Sequence, residues 1–96
     1  MRQLIWRESA LDDLDRIVTY IAQFDYAAAT KLHALFERYS ERLIDHPYRC
    51  RPGRAPQTRE AVVHPNYVLI YRVGVDRVEI LNIVHSRRLY PPAAER

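Results

Sequence analysis

His85, Arg87, Arg88 and Tyr90 fall together behind an apolar run, Val78-Glu79-Ile80-Leu81-Asn82-Ile83-Val84. An imidazole that titrates near neutrality, two guanidinium groups and a phenol are what cleavage of an RNA backbone requires. The 2′-hydroxyl must lose a proton while the scissile phosphate gains charge. The same side chains also suit plain binding, with His85 hydrogen-bonded at a sheet edge and the arginines holding an anion. Arg49, Arg51, Arg54 and Arg59 form a second basic group. Like charges this close repel one another, so an anion is expected to neutralise them.

The charge is unevenly spread. Residues 1–46 carry a net −2 and residues 47–96 a net +5, giving +3 for the 96-residue chain. The basic half is expected to face an anionic partner. Lys31 is the one lysine among 15 basic residues. Nearly every positive charge is therefore a planar guanidinium, suited to bidentate contact with carboxylate or phosphate. Nucleic acid and an acidic protein segment both satisfy that chemistry, and an RNA-binding module without further activity is one reading.

Other classes drop out. His33, His46, Cys50, His64 and His85 lack the short paired spacing of a zinc site, so no metal is expected. With two glycines there is no phosphate-binding loop, dinucleotide fingerprint or nucleophile elbow, and no cofactor is expected. A single cysteine, Cys50, forms no internal disulfide, which suits a reducing cytoplasm. No segment has the apolar length of a signal peptide or a membrane span, so a soluble, cytoplasmic protein with no membrane partner is expected.

The elements that position the basic residues follow from periodicity. Gln3 to Trp6 alternate as a short strand. Ser9 offers an N-cap hydroxyl, Asp12, Asp13 and Asp15 suit the positive end of a helix dipole, and Leu11, Leu14, Ile17, Val18 and Ile21 recur at helical spacing. A helix over roughly 9–24 is predicted. Asp25 is placed to cap a second helix, whose stripe is Ala28, Leu32, Leu35, Phe36, Tyr39 and Leu43; it should stop before Pro47, which pushes His46 out of the α region. The linker is short enough to force a helix hairpin. Residues 47–58 read as an exposed basic loop with Pro47, Pro52, Gly53 and Pro56. Strands follow at about 59–64, 67–73 and 77–85, with turns at Pro65-Asn66 and Gly74-Val75-Asp76. Tyr67, Tyr71 and Trp6 are expected in the core. The prediction is one α+β domain over 1–96: an N-terminal strand, a helix hairpin and a three-stranded antiparallel meander in one sheet, ending in a frayed tail at 91–96.

Several pieces are more specific. Trp6 with Ala10, Asp13 and Leu14, Tyr20-Ile21-Ala22, Pro52-Gly53-Arg54, Thr58-Arg59-Glu60-Ala61-Val62-Val63, Tyr67 to Arg72, and His85-Ser86-Arg87-Arg88 with Pro91 stand in that order. In combination they make the chain resemble the RelE/ParE superfamily of bacterial toxins over most of its length. The resemblance implies a toxin of a type II toxin–antitoxin module, of the kind linked to growth arrest and plasmid stabilization. It also implies a cognate antitoxin, ParD-like or RelB-like, encoded beside it, whose disordered acidic segment folds over the toxin.

The superfamily has two branches. RelE-like members are ribosome-dependent mRNA endonucleases, and ParE-like members inhibit DNA gyrase by binding, without chemistry. RelE-like nucleases place lysines and an arginine on the second and third strands. The corresponding positions here are Ala61 and Val68. Each missing charge typically removes about 10²–10³ in rate. The resemblance therefore implies a ParE-like gyrase inhibitor with Arg49, Arg51, Arg54, Arg59, His85, Arg87 and Arg88 as target contacts and no catalytic residues. On the alternative nuclease reading, with ribosome and mRNA as partners, Arg59, His85, Arg87 and Tyr90 are the catalytic set.

Overall fold

The computed structural model describes residues 2–88, with Arg88 described by its backbone alone. The elements are β1 (Gln3–Trp6), α1 (Glu8–Ala22), α2 (Tyr26–Asp45), β2 (Arg51–Pro52), β3 (Arg59–His64), β4 (Tyr67–Val73), β5 (Arg77–His85) and a 3-10 turn at Ser86–Arg88. The frayed tail expected at 91–96, and Tyr90 with it, lie outside the described residues.

The three later strands occupy the spans that alternation marked out. The sheet itself needs two corrections. It holds five strands in the order β1-β5-β4-β3-β2, because the loop after α2 contributes β2, a two-residue edge strand. Its second residue, Pro52, has no N–H to donate, which a sheet tolerates only at an edge or a strand start. That brevity and the proline hide β2 from any periodicity. Gly53 follows because a Cβ there would collide with Thr58 Oγ1. The sheet is also mixed, since β1 pairs parallel with β5, Gln3 opposite Arg77 through Trp6 opposite Ile80. Parallel neighbours need a long crossover, and the helix hairpin is part of it.

Helix α1 begins at Glu8 with Arg7 as its N-cap and no side-chain cap, so the expected role of Ser9 is corrected. The Ser9 hydroxyl donates instead to the Leu81 carbonyl at 2.7 Å. Asp25 caps α2 as expected, accepting the Ala28 N–H at 3.0 Å. Before Pro47, His46 has left the helix at φ −135°, ψ 57°.

Both helices cover one face of the sheet. Along β4, Tyr67, Leu69 and Tyr71 share the helix-covered face and Val68, Ile70 and Arg72 the other. Phe36, Leu69, Tyr71 and Ile80 are fully buried, and Ala10, Leu14, Leu32, Leu43 and Ala61 complete much of the core. Trp6 and Tyr67 are half-buried against it. Truncating a buried Phe36 to alanine is worth about 3–5 kcal/mol at such a site.

Candidate functional site

The expected site residues divide between two ends of the sheet. Tyr67 and Arg72 lie five residue steps apart along β4, roughly 17 Å at about 3.4 Å per residue. At the end where β4 finishes, the arginines are engaged inside the molecule. Arg59 Nη1 donates to the Cys50 carbonyl at 2.6 Å and the Tyr48 carbonyl at 3.4 Å, and its guanidinium lies 5.0 Å from the centre of the Tyr48 ring. Arg51 Nε donates to Glu60 at 2.8 Å, and the carboxylate side chain is only 4% exposed. Arg72 pairs with Glu79 at 3.0 Å. The anion expected to neutralise this group is thus supplied in part by the strands themselves. Arg49 and Arg54 are exposed on the loop.

Tyr71 anchors the same loop, its hydroxyl donating to the Pro47 carbonyl at 2.6 Å. Burial, reinforced by the Cys50 thiol beside it, pushes the phenol above its ordinary value. It therefore remains a hydrogen-bond donor and is no base at neutral pH.

The opposite end gathers His64, Tyr67 and His85 from β3, β4 and β5. The Tyr67 ring stands between the imidazoles, 5.7 Å from His64 and 5.6 Å edge-on to His85. Each Nδ1 accepts a backbone N–H two residues on, from Asn66 to His64 at 3.0 Å and from Arg87 to His85 at 3.1 Å. A neutral imidazole so held carries its proton on Nε2. Ser86 ties the end of β5 to the β3–β4 turn, its N–H donating to the Asn66 carbonyl at 2.8 Å and its hydroxyl to the Pro65 carbonyl at 2.9 Å. Arg87 emerges from this tied corner with its side chain exposed. His85 and Arg87 are thus brought together, whereas Arg49, Arg51, Arg54 and Arg59 belong to the loop and the other end of the sheet. Tyr90 and the Arg88 side chain lie outside the described residues.

Asp13 fixes where β5 ends. Past Ile80 the strand loses β1 as neighbour, and α1 fills the vacant edge. Asp13 Oδ2 accepts the Ile83 N–H at 2.9 Å and the Asn82 amide at 3.1 Å, while Oδ1 accepts from Arg16 at 2.7 Å. Burial pushes the carboxyl up, but the bonds from Arg16, Ile83 and Asn82 outweigh it and hold the group below its ordinary value. Sequence periodicity assigned Asp13 to the helix dipole. Its long-range role has no local signature.

On the face of the sheet turned from the helices, Val62, Val68 and Val84 stand in one cross-strand row. That face also carries the Arg51–Glu60 and Arg72–Glu79 pairs. A further basic feature was missed: Lys31, Arg38 and Arg42 repeat at spacings of 7 and 4 on α2, one helical stripe. The acidic balance of residues 1–46 masks it.

A strand, a helix hairpin and the later strands in one sheet are the order of elements that the RelE/ParE resemblance implies. The profile of the ParE toxin of type II toxin–antitoxin systems, parDE, matches residues 4–90, and the chain belongs to this family. Toxin RelE2 of Caulobacter vibrioides is 38% identical over 89 residues, 93% of this chain and all of that protein. Among solved structures, the chromosomal ParDE system from P. aeruginosa matches with a TM-score of 0.79 at 22% identity, over 88% of this chain and 96% of that one. The E. coli DinJ-YafQ toxin-antitoxin complex matches with a TM-score of 0.60 at 19% identity, over 93% and 97%.

Proposed function

We propose that this toxin acts in the cytoplasm as a ParE-like inhibitor of DNA gyrase, arresting growth by binding, and that a cognate antitoxin, ParD-like or RelB-like, holds it inactive. The observation that carries the reading is the chemistry of the strands. The positions where a RelE-like nuclease needs charge are Ala61 and Val68, both buried. The neighbouring Arg51 and Arg72 are balanced by Glu60 and Glu79. A scissile phosphate would find little to stabilise it there. Arg87, exposed beside His85, is the contact we assign to the target, with Arg88 next to it in sequence and Arg49 and Arg54 exposed on the loop as the other candidates.

The second reading is ribosome-dependent mRNA cleavage. Two oriented imidazoles around Tyr67 favour it, and the name of the Caulobacter relative points the same way. Induction in a bacterial host decides between them. Broken DNA and lost supercoiling with intact messages are expected. Cut messages with gyrase unaffected would overturn the gyrase reading and assign the chemistry to His85 and its neighbours.

A further inference from the structure

The tip of the helix hairpin carries the most exposed aromatic side chains among the described residues. Tyr20 is 62% exposed, Phe24 74% and Tyr26 78%. Tyr20 and Phe24 stand one helical turn apart, their rings edge to face with centres 5.3 Å apart. Such a pair steadies a helix end, yet it leaves most of Phe24 in water. The tip is tied by its own backbone. Phe24 and Asp25 both donate their N–H to the Ile21 carbonyl at 2.9 Å, and Asp25 accepts the Ala28 N–H at 3.0 Å. The rings are thus held in place before any partner arrives, which lowers the entropy lost on association.

A groove of about 310 Å³ opens between the two helices, walled by Val18 and Ala22 of α1 and by Ala29 and Ala34 of α2, with Tyr26 among its lining. Small side chains leave the hollow, and large exposed ones stand next to it. Apolar projection and apolar hollow on one surface are the self-complementary arrangement of a two-fold contact, in which each copy fills the other.

Charge selects the occupant. Residues 17–30 hold one charged side chain, Asp25, in a chain of which 28% is charged. An anionic partner finds no cation in that stretch. A second copy brings the same nearly uncharged surface, so the two meet without the repulsion that the acidic start of α1 or the basic loop would face against itself. Clustered exposed apolar side chains of this kind mark interaction sites.

We propose that two copies of this chain associate through their hairpin tips, with Tyr20, Phe24 and Tyr26 of each packing against the groove between α1 and α2 of the other. At these exposures, three side chains that each bury roughly 200 Å² offer roughly 400 Å² per copy. The total of roughly 800 Å² falls below the roughly 1,200 Å² of a stable interface. The dimer is therefore weak and depends on concentration, and it holds whichever target the toxin has.

Sedimentation velocity of the purified full chain over a range of concentrations tests this. The wild type should pass reversibly from monomer to dimer as concentration rises. Phe24→Lys should weaken the dimer at least about thirtyfold, the loss expected for a central aromatic anchor, at an unchanged unfolding temperature because the side chain lies outside the core. Thr30→Arg, which obstructs the groove from its exposed rim, should weaken it from the other side of the contact. A wild type that stays monomeric at every concentration would overturn the proposal and leave the tip to a different partner. A dimer that survives both substitutions would overturn it by placing the interface elsewhere.

Discussion

Where β4 ends, Arg51, Arg59 and Arg72 direct their donors to Glu60, to the Cys50 carbonyl and to Glu79; where β5 ends, Arg87 is exposed beside a histidine whose Nδ1 is already occupied. The two regions hold the same residue type and differ in what surrounds it. A guanidinium whose bonds close a loop contributes to folding. One presented from a corner tied down by Ser86 and Asp13 is available to another molecule. Counting arginines does not separate these cases, whereas counting their partners does.

The sharpest way to break the comparison is to remove charge at each end in turn. Arg87→Ala with Arg88→Ala should weaken gyrase binding about a hundredfold or more, as loss of two anchoring arginines does, and relieve growth arrest at an unchanged unfolding temperature. Arg59→Ala should do the reverse. It leaves the Cys50 carbonyl without its donor and removes a cation over Tyr48, which is worth about 2–3 kcal/mol in urea unfolding.

Asp13→Ala should cost about 2 kcal/mol by leaving the Ile83 N–H and the Asn82 amide without an acceptor. This site also has a pH signature. Its carboxyl is held below the ordinary 3.8 in the folded chain. The stabilisation is therefore complete above that ordinary value and is lost as pH falls through the lower folded value. Asp13→Asn should flatten this acid limb in a pH series of unfolding free energies. The smallest effect belongs to Tyr71→Phe, about 1 kcal/mol for a single buried bond to the Pro47 carbonyl, with gyrase inhibition retained.

The later strands were legible because alternation and turn residues are local signals, as was the Asp25 cap. β2 was not, since two residues cannot show a period. Ser9 and Asp13 looked like helix-start residues because their partners, Leu81 and Ile83, lie about 70 positions away. The basic corner at His85 and Arg87 could be read from the sequence. The division of the remaining arginines could not, because Glu60 meets Arg51 only once β2 and β3 pair.

The most direct measurement is gyrase supercoiling with trapped DNA breaks, using the purified toxin, its Arg87→Ala/Arg88→Ala variant and an Arg49→Ala/Arg54→Ala variant. The account predicts that the wild type and the loop variant inhibit supercoiling and trap breaks, while the corner variant does neither. Inhibition surviving in the corner variant and lost in the loop variant would contradict it and place the target on the other end of the sheet.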